Sequence, residues 1–392
     1  MVLETVRKIR ACRTPALGCH VYQCPDGHQT KIVPHSCKSR FCPTCGKHAT
    51  DRWADQVLND LTDVPYHHLV LSAPWQLRPI MLFNREVCLS ILARAGASCL
   101  NQWARDQHEM RMGIVTVIHT FGADIKWHPH LHLLGTEGGL DLDGEEWIQP
   151  HNLGWLMSHA GLKKMWRYHV ITAFRSAHRN GELRFPANSA FMKQYPRFNV
   201  LLKKLYDVTW YAHIGACLLD PSASLRYIGR YTERAVLAEY RITHYDGKKV
   251  RFAFKDYAEG GKTSYKTMQV LTFIGRLLRH VPDKHFKMIR YSGLFASRWK
   301  SRYQAQARLA LGQGATTDAG ASENGSTETP PSLLSWSERR QAQDPEALSC
   351  PTCGKTMVLR EVVFGPHAHI EELFRIGGYP LKAFHPAHAM PP

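Results

Sequence analysis

The 392-residue sequence lacks the features that would direct it into or across a membrane. It has no run of about 18 uncharged apolar residues, the length that a membrane-spanning helix requires. Its first residues, MVLETVRK, carry charges where a secretory signal peptide needs an apolar stretch. We therefore expect a cytoplasmic protein rather than a membrane or secreted one.

Acidic residues are scarce. The chain has 33 Asp and Glu against 50 Lys and Arg, a formal net charge of +17. Residues 303–392 hold 7 basic and 9 acidic residues, whereas residues 1–302 hold 43 and 24. Such an excess of positive charge predicts a polyanionic partner, and nucleic acid is the default candidate. We expect it to bind within residues 1–302.

Composition divides the chain into four regions. These are a Cys/His-rich head at 1–50, a mixed body at 51–302, a linker at 303–348 and a short Cys/His tail at 349–392. The linker is predicted to be disordered, because its polar centre at 312–331 has almost nothing to bury. Internal repeats are absent from the rest of the sequence.

The body alternates segments typical of strands with segments typical of helices. Strand patterns occupy residues 66–72, 113–121, 128–134 and 208–217, a hairpin pattern surrounds the Asp246-Gly247 turn within 240–254, and helix patterns occupy 84–107, 152–179, 197–206 and the segment that begins with Asp220-Pro221. The runs at 113–121 and 128–134 are joined by a short polar turn, which predicts a β-hairpin. The body is therefore expected to be an α+β domain with mostly antiparallel strands.

Three histidines alternate with apolar residues in one predicted strand. His128, His130 and His132 would face the same way, because side chains in a strand have a period of two. Two neutral imidazoles about 7 Å apart at their Cα atoms can converge on one divalent ion. The alternative is a strand with surface histidines. The interleaved leucines and the glycine-bearing turn at 135–139 favour metal binding.

Two tyrosines lie four residues apart in the helix that begins at Asp220-Pro221. Tyr227 and Tyr231 would share one helix face, and arginines with the same spacing form an adjacent stripe: Arg226, Arg230 and Arg234. Tyrosine is a poor nucleophile at its usual pKa near 10, but a metal ion and guanidinium groups that hold a phosphate would allow it to attack. The alternative is that Tyr227 packs in the core, Tyr231 only caps a helix face and the arginines are solvated.

The cysteines are clustered, which favours metal binding over disulfides in a reducing compartment. The spacing Cys37-x4-Cys42-x2-Cys45, with Cys24 upstream, is typical of a structural zinc site. The remaining Cys12, Cys19 and His20 are candidates for a second site, and free thiols in a small core are the alternative. The basic residues Lys38, Arg40 and Lys47 make this head a candidate DNA-binding module.

The tail holds half of a further zinc motif, Cys350-Pro-Thr-Cys353. Four histidines are candidates to complete it: His367, His369, His385 and His388. The other cysteines lie in apolar segments and are interpreted as packing residues: Cys88, Cys99 and Cys217.

The order of these motifs resembles the two-tyrosine transposases of the insertion-sequence-ninety-one family, within the HUH endonuclease superfamily. The resemblance runs from about residue 10 to 295 and includes the cysteine-rich head, the strand at 128–134, Gly138-Gly-Leu140 and Tyr227-Ile-Gly-Arg-Tyr231. It implies an antiparallel-sheet HUH core, ferredoxin- or RRM-like, with an N-terminal zinc-binding module. Related heads have a second cysteine near Cys24, so the resemblance makes His28 a candidate replacement.

The resemblance also implies rolling-circle transposition. A tyrosine would attack single-stranded DNA at the end of the element, leaving a 5′-phosphotyrosine link and a free 3′-OH without ATP. Tyr227 and Tyr231 would be the nucleophiles, and His130 and His132 would bind Mg²⁺ or Mn²⁺. The expected partners are single-stranded transposon ends and target DNA, in a cytoplasmic, nucleoid-associated protein.

The third metal ligand is left open. The family usually has asparagine where this chain has His128, so that histidine is an additional candidate. His119 and Asp124 are further candidates. Two other functions compete with transposition: a plasmid replication initiator or relaxase with the same nicking chemistry, and a zinc-dependent DNA-binding protein without catalysis. The zinc head and the Gly-Gly-Leu continuation of the histidine strand favour the transposase over the replication initiator or relaxase.

Overall fold

The computed structural model describes most of the chain. The described residues are 2–39, 41–42, 45–46, 53–54, 56–58, 61–150, 156–220, 222, 225, 228, 236–312, 348–365 and 369–376. The chain divides into two compact units, one comprising residues 46–317 and the other residues 2–45 together with 318–392.

The helices with described bounds are α1 (Val2–Ala11), α2 (Arg78–Phe83), α3 (Arg85–His108), α4 (His159–Arg179), α5 (Tyr195–Lys204), α6 (Val270–Leu278), α7 (Lys300–Ala310) and α8 (Ile370–Ile376). The strands are β1 (Cys19–Gln23), β2 (Thr30–Pro34), β3 (Tyr66–Ser72), β4 (Met110–Arg111), β5 (Gly113–Phe121), β6 (Trp127–Thr136), β7 (Gly139–Asp141), β8 (Trp147–Ile148), β9 (Tyr211–Leu218), β10 (Ile242–Tyr245), β11 (Lys249–Asp256), β12 (Lys262–Gln269), β13 (Ile289–Gly293) and β14 (Val358–Val363). Among the described helices, none combines the length and apolar character needed to cross a bilayer.

The larger unit is built on a five-stranded sheet in the order β13-β5-β6-β3-β9, with every neighbouring pair antiparallel. The mixed helices and antiparallel strands confirm the α+β expectation. The predicted hairpin is the β5–β6 pair, in which His119 lies opposite His130.

Both faces of this sheet are covered. Leu71, Ile118 and Leu131 pack with α3 and α4 on one face, around the fully buried Trp166. Because side chains alternate along a strand, Val117 and its neighbours of the same parity point to the other face. Burial on both faces explains why most residues of β5 are apolar. Alternate residues of this strand lie in two different cores.

A separate three-stranded ribbon, β10-β11-β12, follows in the same unit. The sequence predicted its first two strands, joined at Asp246-Gly247, where Gly247 has a φ of +85°. The third strand was not predicted. One face of the ribbon packs on α6, where the rings of Phe252 and Phe273 are 5.8 Å apart.

The smaller unit joins the head to the tail. Its sheet has the order β14-β1-β2, so a tail strand completes the sheet of the head. A two-stranded hairpin buries too little apolar surface to be stable alone. Val363 and Phe374 of the tail supply the missing core against Val21 and Ile32. The head and the tail are therefore one structural unit, where the sequence suggested two separate regions.

The predicted linker is shorter than its expected bounds of 303–348. Helix α7 continues to Ala310 because Ala307 is fully buried and Tyr303 packs against the core of the larger unit. At the other end, Leu348 is buried beside Met357. Residues 313–347 lie outside the described part of the chain.

Candidate metal centres

Three histidines converge on the sheet face that lies opposite α3 and α4. His119 of β5 and His130 and His132 of β6 place ring nitrogens within 4.8 Å of one another. The ring centroids of His119 and His132 are 4.2 Å apart, and those of His130 and His132 are 5.1 Å apart. Antiparallel pairing of the two strands produces this arrangement, since His119 lies directly opposite His130.

Hydrogen bonds orient these rings. The Nδ1 atom of His130 lies 2.8 Å from the carbonyl oxygen of His128 and can donate its proton there, which leaves Nε2 as a lone-pair donor for a metal. The Nδ1 atom of His132 lies 2.8 Å from Nε2 of His68 on the neighbouring strand β3. His119 hydrogen-bonds the backbone of Ile228.

Burial keeps the three histidines neutral. It lowers the pKa of His130 and lowers the pKa values of His119 and His132 well below 6.5, and the neighbouring imidazoles lower these last two further. The neutral imidazole is the form that binds metal. The group therefore provides three nitrogen donors at neutral pH without prior loss of a proton.

The other candidate ligands lie outside this group. The Nε2 atom of His128 is 2.9 Å from the hydroxyl oxygen of Ser72, and burial with nearby positive charge lowers the His128 pKa to about 3. Asp124 instead forms ion pairs with Lys266, at 3.0 Å, and with Lys126, at 3.7 Å. Of the three candidates for the third ligand named from sequence, His128, His119 and Asp124, only His119 joins His130 and His132.

The proposed nucleophile segment is described only in part. Tyr227, Tyr231, Arg226, Arg230 and Arg234 lie outside the described residues. Ser222, Leu225 and Ile228 of the same segment are helical. The carboxylate of Asp220 accepts a hydrogen bond from the Ser222 backbone N–H at 2.8 Å, as expected for a helix start.

Residues Leu225 and Ile228 fix this segment to the histidine face. Both are buried in the same core as Val115 and Val117 of β5. The hydrogen bond between Ile228 and His119 adds a polar contact directly to the histidine group. Ile228 follows Tyr227 in the sequence and precedes Tyr231 by three residues.

Four cysteines of the head form a second group. The sulfur atoms of Cys12, Cys37, Cys42 and Cys45 lie within 4.8 Å of one another, with pair distances of 3.4 to 3.7 Å. These distances are too long for a disulfide, and they match the roughly 3.8 Å that four sulfurs adopt around a zinc ion at about 2.3 Å. Cys12, rather than Cys24, completes the group because the backbone bond from Arg13 to His35 holds α1 beside the end of β2.

Cys24 and His28 belong to a third group, completed by Cys350 and Cys353 of the tail. The Cys24 sulfur is 3.5 Å from that of Cys353 and 3.6 Å from Nδ1 of His28. The pairing of β1 with β14 places Gln23 opposite Val358, so the two half-motifs meet at one end of the sheet. The sequence suggested that Cys24 joins the other head cysteines and that tail histidines complete Cys350 and Cys353. The structure corrects both expectations.

Several other candidates lie outside these groups. Cys19 is buried in the core of the smaller unit, and His20 accepts or donates a hydrogen bond with His35 at 2.9 Å. His369 lies 3.5 Å from Glu361 instead of joining Cys350 and Cys353. The remaining residues named from sequence are outside the described part of the chain: Arg40, Lys47, His367, His385 and His388.

A further polar group was missed by the sequence analysis. His67, Glu137 and Cys217 meet on the sheet face opposite the three histidines, where the Cys217 thiol donates to Glu137 at 2.7 Å. Cys217 is therefore not simply a packing residue, whereas Cys88 and Cys99 are buried in the apolar core as expected. No spacing rule would find this group, because its members come from three separate segments.

Two protein families match the chain. Residues 113–302 match a family described as "Putative transposase", and residues 1–73 match the family "Transposase zinc-binding domain". The chain is 31% identical over 306 residues to "Putative transposase y4qJ" of Sinorhizobium fredii (strain NBRC 101917 / NGR234), covering 78% of this chain and 77% of that protein. It is also 31% identical over 312 residues to "Transposase for insertion sequence element IS801" of Pseudomonas savastanoi pv. phaseolicola, covering 79% and 74%. No solved structure matches the chain.

These matches cover both the histidine-bearing sheet and the cysteine-rich head. The chain belongs to this family of transposases. Its N-terminal part is a transposase zinc-binding domain of the IS91 type, which confirms the family that the motif order suggested. The four-cysteine group of the head supports structural zinc in that domain.

Proposed function

We propose that this transposase nicks single-stranded DNA at the ends of its element and transfers the cut strand through a 5′-phosphotyrosine intermediate. The observation that carries the proposal is the group formed by His119, His130 and His132 on an antiparallel sheet, fixed by a backbone contact to the segment that contains the two tyrosines. The strand order and the histidine positions are consistent with an HUH-type core.

The three histidines would hold a divalent ion. Their Nε2 atoms are suited to the task because burial keeps the rings neutral and because His130 donates its Nδ1 proton to a carbonyl group. When bound, Mg²⁺ or Mn²⁺ would supply Lewis-acid polarisation of the scissile phosphate. Three imidazoles without a carboxylate are a softer donor set than Mg²⁺ prefers, so the site suits a transition metal better.

Tyr227 or Tyr231 would be the nucleophile. Its phenolic oxygen gives up its proton to solvent and attacks phosphorus, the bond from phosphorus to the 3′-oxygen breaks, and the departing 3′-oxygen takes up a proton from solvent. The phosphodiester bond is exchanged for a phosphotyrosine bond, so no nucleotide cofactor is required for rejoining. Two tyrosines four residues apart would allow one to hold the first strand while the other cuts the second.

The guanidinium groups of Arg226, Arg230 and Arg234 are proposed to bind backbone phosphates beside the tyrosines, since arginine binds phosphate in a bidentate manner. The zinc-binding head is proposed to recognise the ends of the element. Zinc in this head would act as a structural ion, because all four positions around it would be filled by protein ligands.

Incubation with a single-stranded oligonucleotide and Mn²⁺ tests the proposal. We expect the full-length protein to form a covalent adduct that survives denaturing electrophoresis. Tyr227→Phe and Tyr231→Phe should each reduce adduct formation, and the double variant should abolish it. An adduct of undiminished yield in the double variant would refute the nucleophile assignment. Absence of an adduct from the wild-type protein would favour a DNA-binding protein without catalysis.

A further inference from the structure

The ribbon β10-β11-β12 has one face packed on α6 and one face open to solvent. Directly opposed residues share a face, so the pairs Arg251 with Thr267 and Lys255 with Thr263 identify the open one. Lys249 lies on the same face, and the three cationic side chains are exposed. Lys249 and Arg251 occupy alternate positions of β11, about 7 Å apart, and Lys255 lies about 13 Å beyond Arg251, with Ala253 between them.

Within the described strands β11 and β12, none of the residues whose side chains point to this open face is acidic. On β12 the corresponding residues are threonines, a glutamine and a tyrosine: Thr263, Tyr265, Thr267 and Gln269. The guanidinium group of Arg251 lies 4.5 Å from the centre of the Tyr265 ring, and 54% of Tyr265 remains exposed. The face therefore combines a row of positive charges with an exposed aromatic ring.

The ribbon is anchored to the loop that joins the two histidine-bearing strands. Lys266, on the packed face of β12, forms an ion pair with Asp124 of that loop at 3.0 Å. Arg241 donates hydrogen bonds to the carbonyl oxygens of Ala123 in the loop, at 2.6 Å, and of Ala253 in the ribbon, at 2.8 Å. His280, which follows α6, is 3.2 Å from the Ile125 carbonyl oxygen. These contacts fix the ribbon beside the end of the β5–β6 hairpin.

We infer that the open face of the ribbon binds the single-stranded DNA on which the histidine site acts. Lys249, Arg251 and Lys255 contact phosphates of one strand, and Tyr265 stacks on an unpaired base. Cations along one face of a β-strand can follow a flexible sugar–phosphate backbone, and a single exposed ring offers a surface on which any base can stack. The inference rests on the proposed function for the identity of its ligand.

The experiment measures binding of a fluorescein-labelled 20-nucleotide single strand to the full-length protein by anisotropy, at several salt concentrations. Mg²⁺ and Mn²⁺ are omitted so that cleavage does not interfere. Replacing Lys249, Arg251 and Lys255 together by glutamine should weaken binding roughly 10- to 100-fold. It should also reduce the slope of log K against log salt concentration by about 2, because each lost phosphate contact contributes about 0.7 to that slope.

A matched control removes the same charge from helices α4 and α5, which cover the sheet face opposite the three histidines. Lys163 and Lys164 of α4 and Lys203 of α5 are exposed, and replacing all three by glutamine should leave affinity within about twofold of the wild type. Equal losses in the two triple variants would show a general charge effect and overturn the assignment. No loss in the ribbon variant, with an unchanged thermal unfolding midpoint, would also overturn it.

The aromatic part of the inference is tested separately. Tyr265→Ala should weaken single-strand binding about 5- to 150-fold, the range that stacking on one base provides, whereas Tyr265→Phe should retain binding. Equal effects on a duplex of the same sequence would contradict single-stranded DNA as the occupant. If the ribbon variants weaken single-strand binding but the wild-type protein forms no covalent adduct with Mn²⁺, the ribbon is confirmed as a binding surface and the proposed cleavage chemistry is refuted.

Discussion

The Nε2 atom of His68 lies 2.8 Å from the Nδ1 atom of His132, and the two rings are nearly parallel at 16°. His68 is on β3 and takes no part in the three-histidine group itself. It holds His132 in one orientation and occupies its Nδ1 atom, which leaves Nε2 as the nitrogen available to a metal ion. A partner of this kind sets both the tautomer and the direction of a metal ligand.

Removal of His68 should therefore weaken metal binding. We expect His68→Ala to raise the Mn²⁺ concentration for half-maximal cleavage by roughly 10- to 100-fold, with a smaller effect on the rate at saturating metal. His68→Gln can still hydrogen-bond His132 and should recover much of the affinity. His67→Gln, on the opposite sheet face, is the matched control. A fall in rate at every Mn²⁺ concentration, without a shift of the midpoint, would argue against this positioning role.

The donor set of the histidine group predicts a metal preference. His119, His130 and His132 contribute nitrogen atoms only, and nitrogen donors favour Mn²⁺ over the harder Mg²⁺. Cleavage titrations should show half-maximal activity at a Mn²⁺ concentration at least about tenfold below that for Mg²⁺. His119→Glu adds an oxygen donor and should reduce the difference between the half-maximal concentrations of the two ions. Equal midpoints for the two ions in the wild-type protein would be inconsistent with this donor set.

The grouping of the cysteines predicts how zinc is lost. Cys24→Ser and Cys353→Ser should each remove one zinc ion per chain, measured by elemental analysis. Combining them should remove no more than one, because both residues belong to the same group. Combining Cys12→Ser with Cys353→Ser should remove two.

A matched control for the zinc measurement is Cys19→Ala, which changes a buried head cysteine outside both groups and should leave the zinc content unchanged. If Cys24→Ser and Cys353→Ser instead each remove a different ion, so that their double variant loses two, the pairing of the head and tail half-motifs is wrong.

The buried His280 predicts a specific dependence of stability on pH. Burial lowers its pKa to about 4. Below pH 6.5 the unfolded chain binds a proton that the folded chain does not, so stability falls as the pH drops from 6.5 towards 4, by about 1.4 kcal/mol per pH unit for this group. His280→Asn removes the titrating imidazole, so the melting temperature of this variant should decline less than that of the wild type between pH 6.5 and 5. Parallel curves for the two proteins would contradict the pKa.

Much of the fold could be predicted because its pattern is local. The β5–β6 hairpin and strand β3 follow from apolar runs bounded by turns, and β3 has the bounds Tyr66–Ser72 that the sequence indicated. The third strand of the ribbon was missed because residues 262–269 are mostly polar and exposed, so their sequence has no apolar face to reveal a strand.

The site residues likewise divide into those that a local pattern identifies and those that depend on the pairing of distant segments. The parity of His130 and His132 could be read from one strand, whereas the choice of His119 required the register of two strands, and that register is irregular between His119 and Phe121. Cys24 and Cys353 are 329 residues apart, so no motif spacing links them. Their association depends on the pairing of β1 with β14, a tertiary contact.

DNA is expected to become covalently joined to Tyr227 or Tyr231. Trypsin cleaves after Arg226, Arg230 and Arg234, so Tyr227 and Tyr231 fall in separate short peptides, YIGR and YTER. Mass spectrometry of the protease- and nuclease-digested adduct therefore distinguishes them. We predict a nucleotide mass on one or both of these peptides. A nucleotide mass on any other peptide, or an intact protein that never acquires one in the presence of single-stranded element ends and Mn²⁺, would contradict the account.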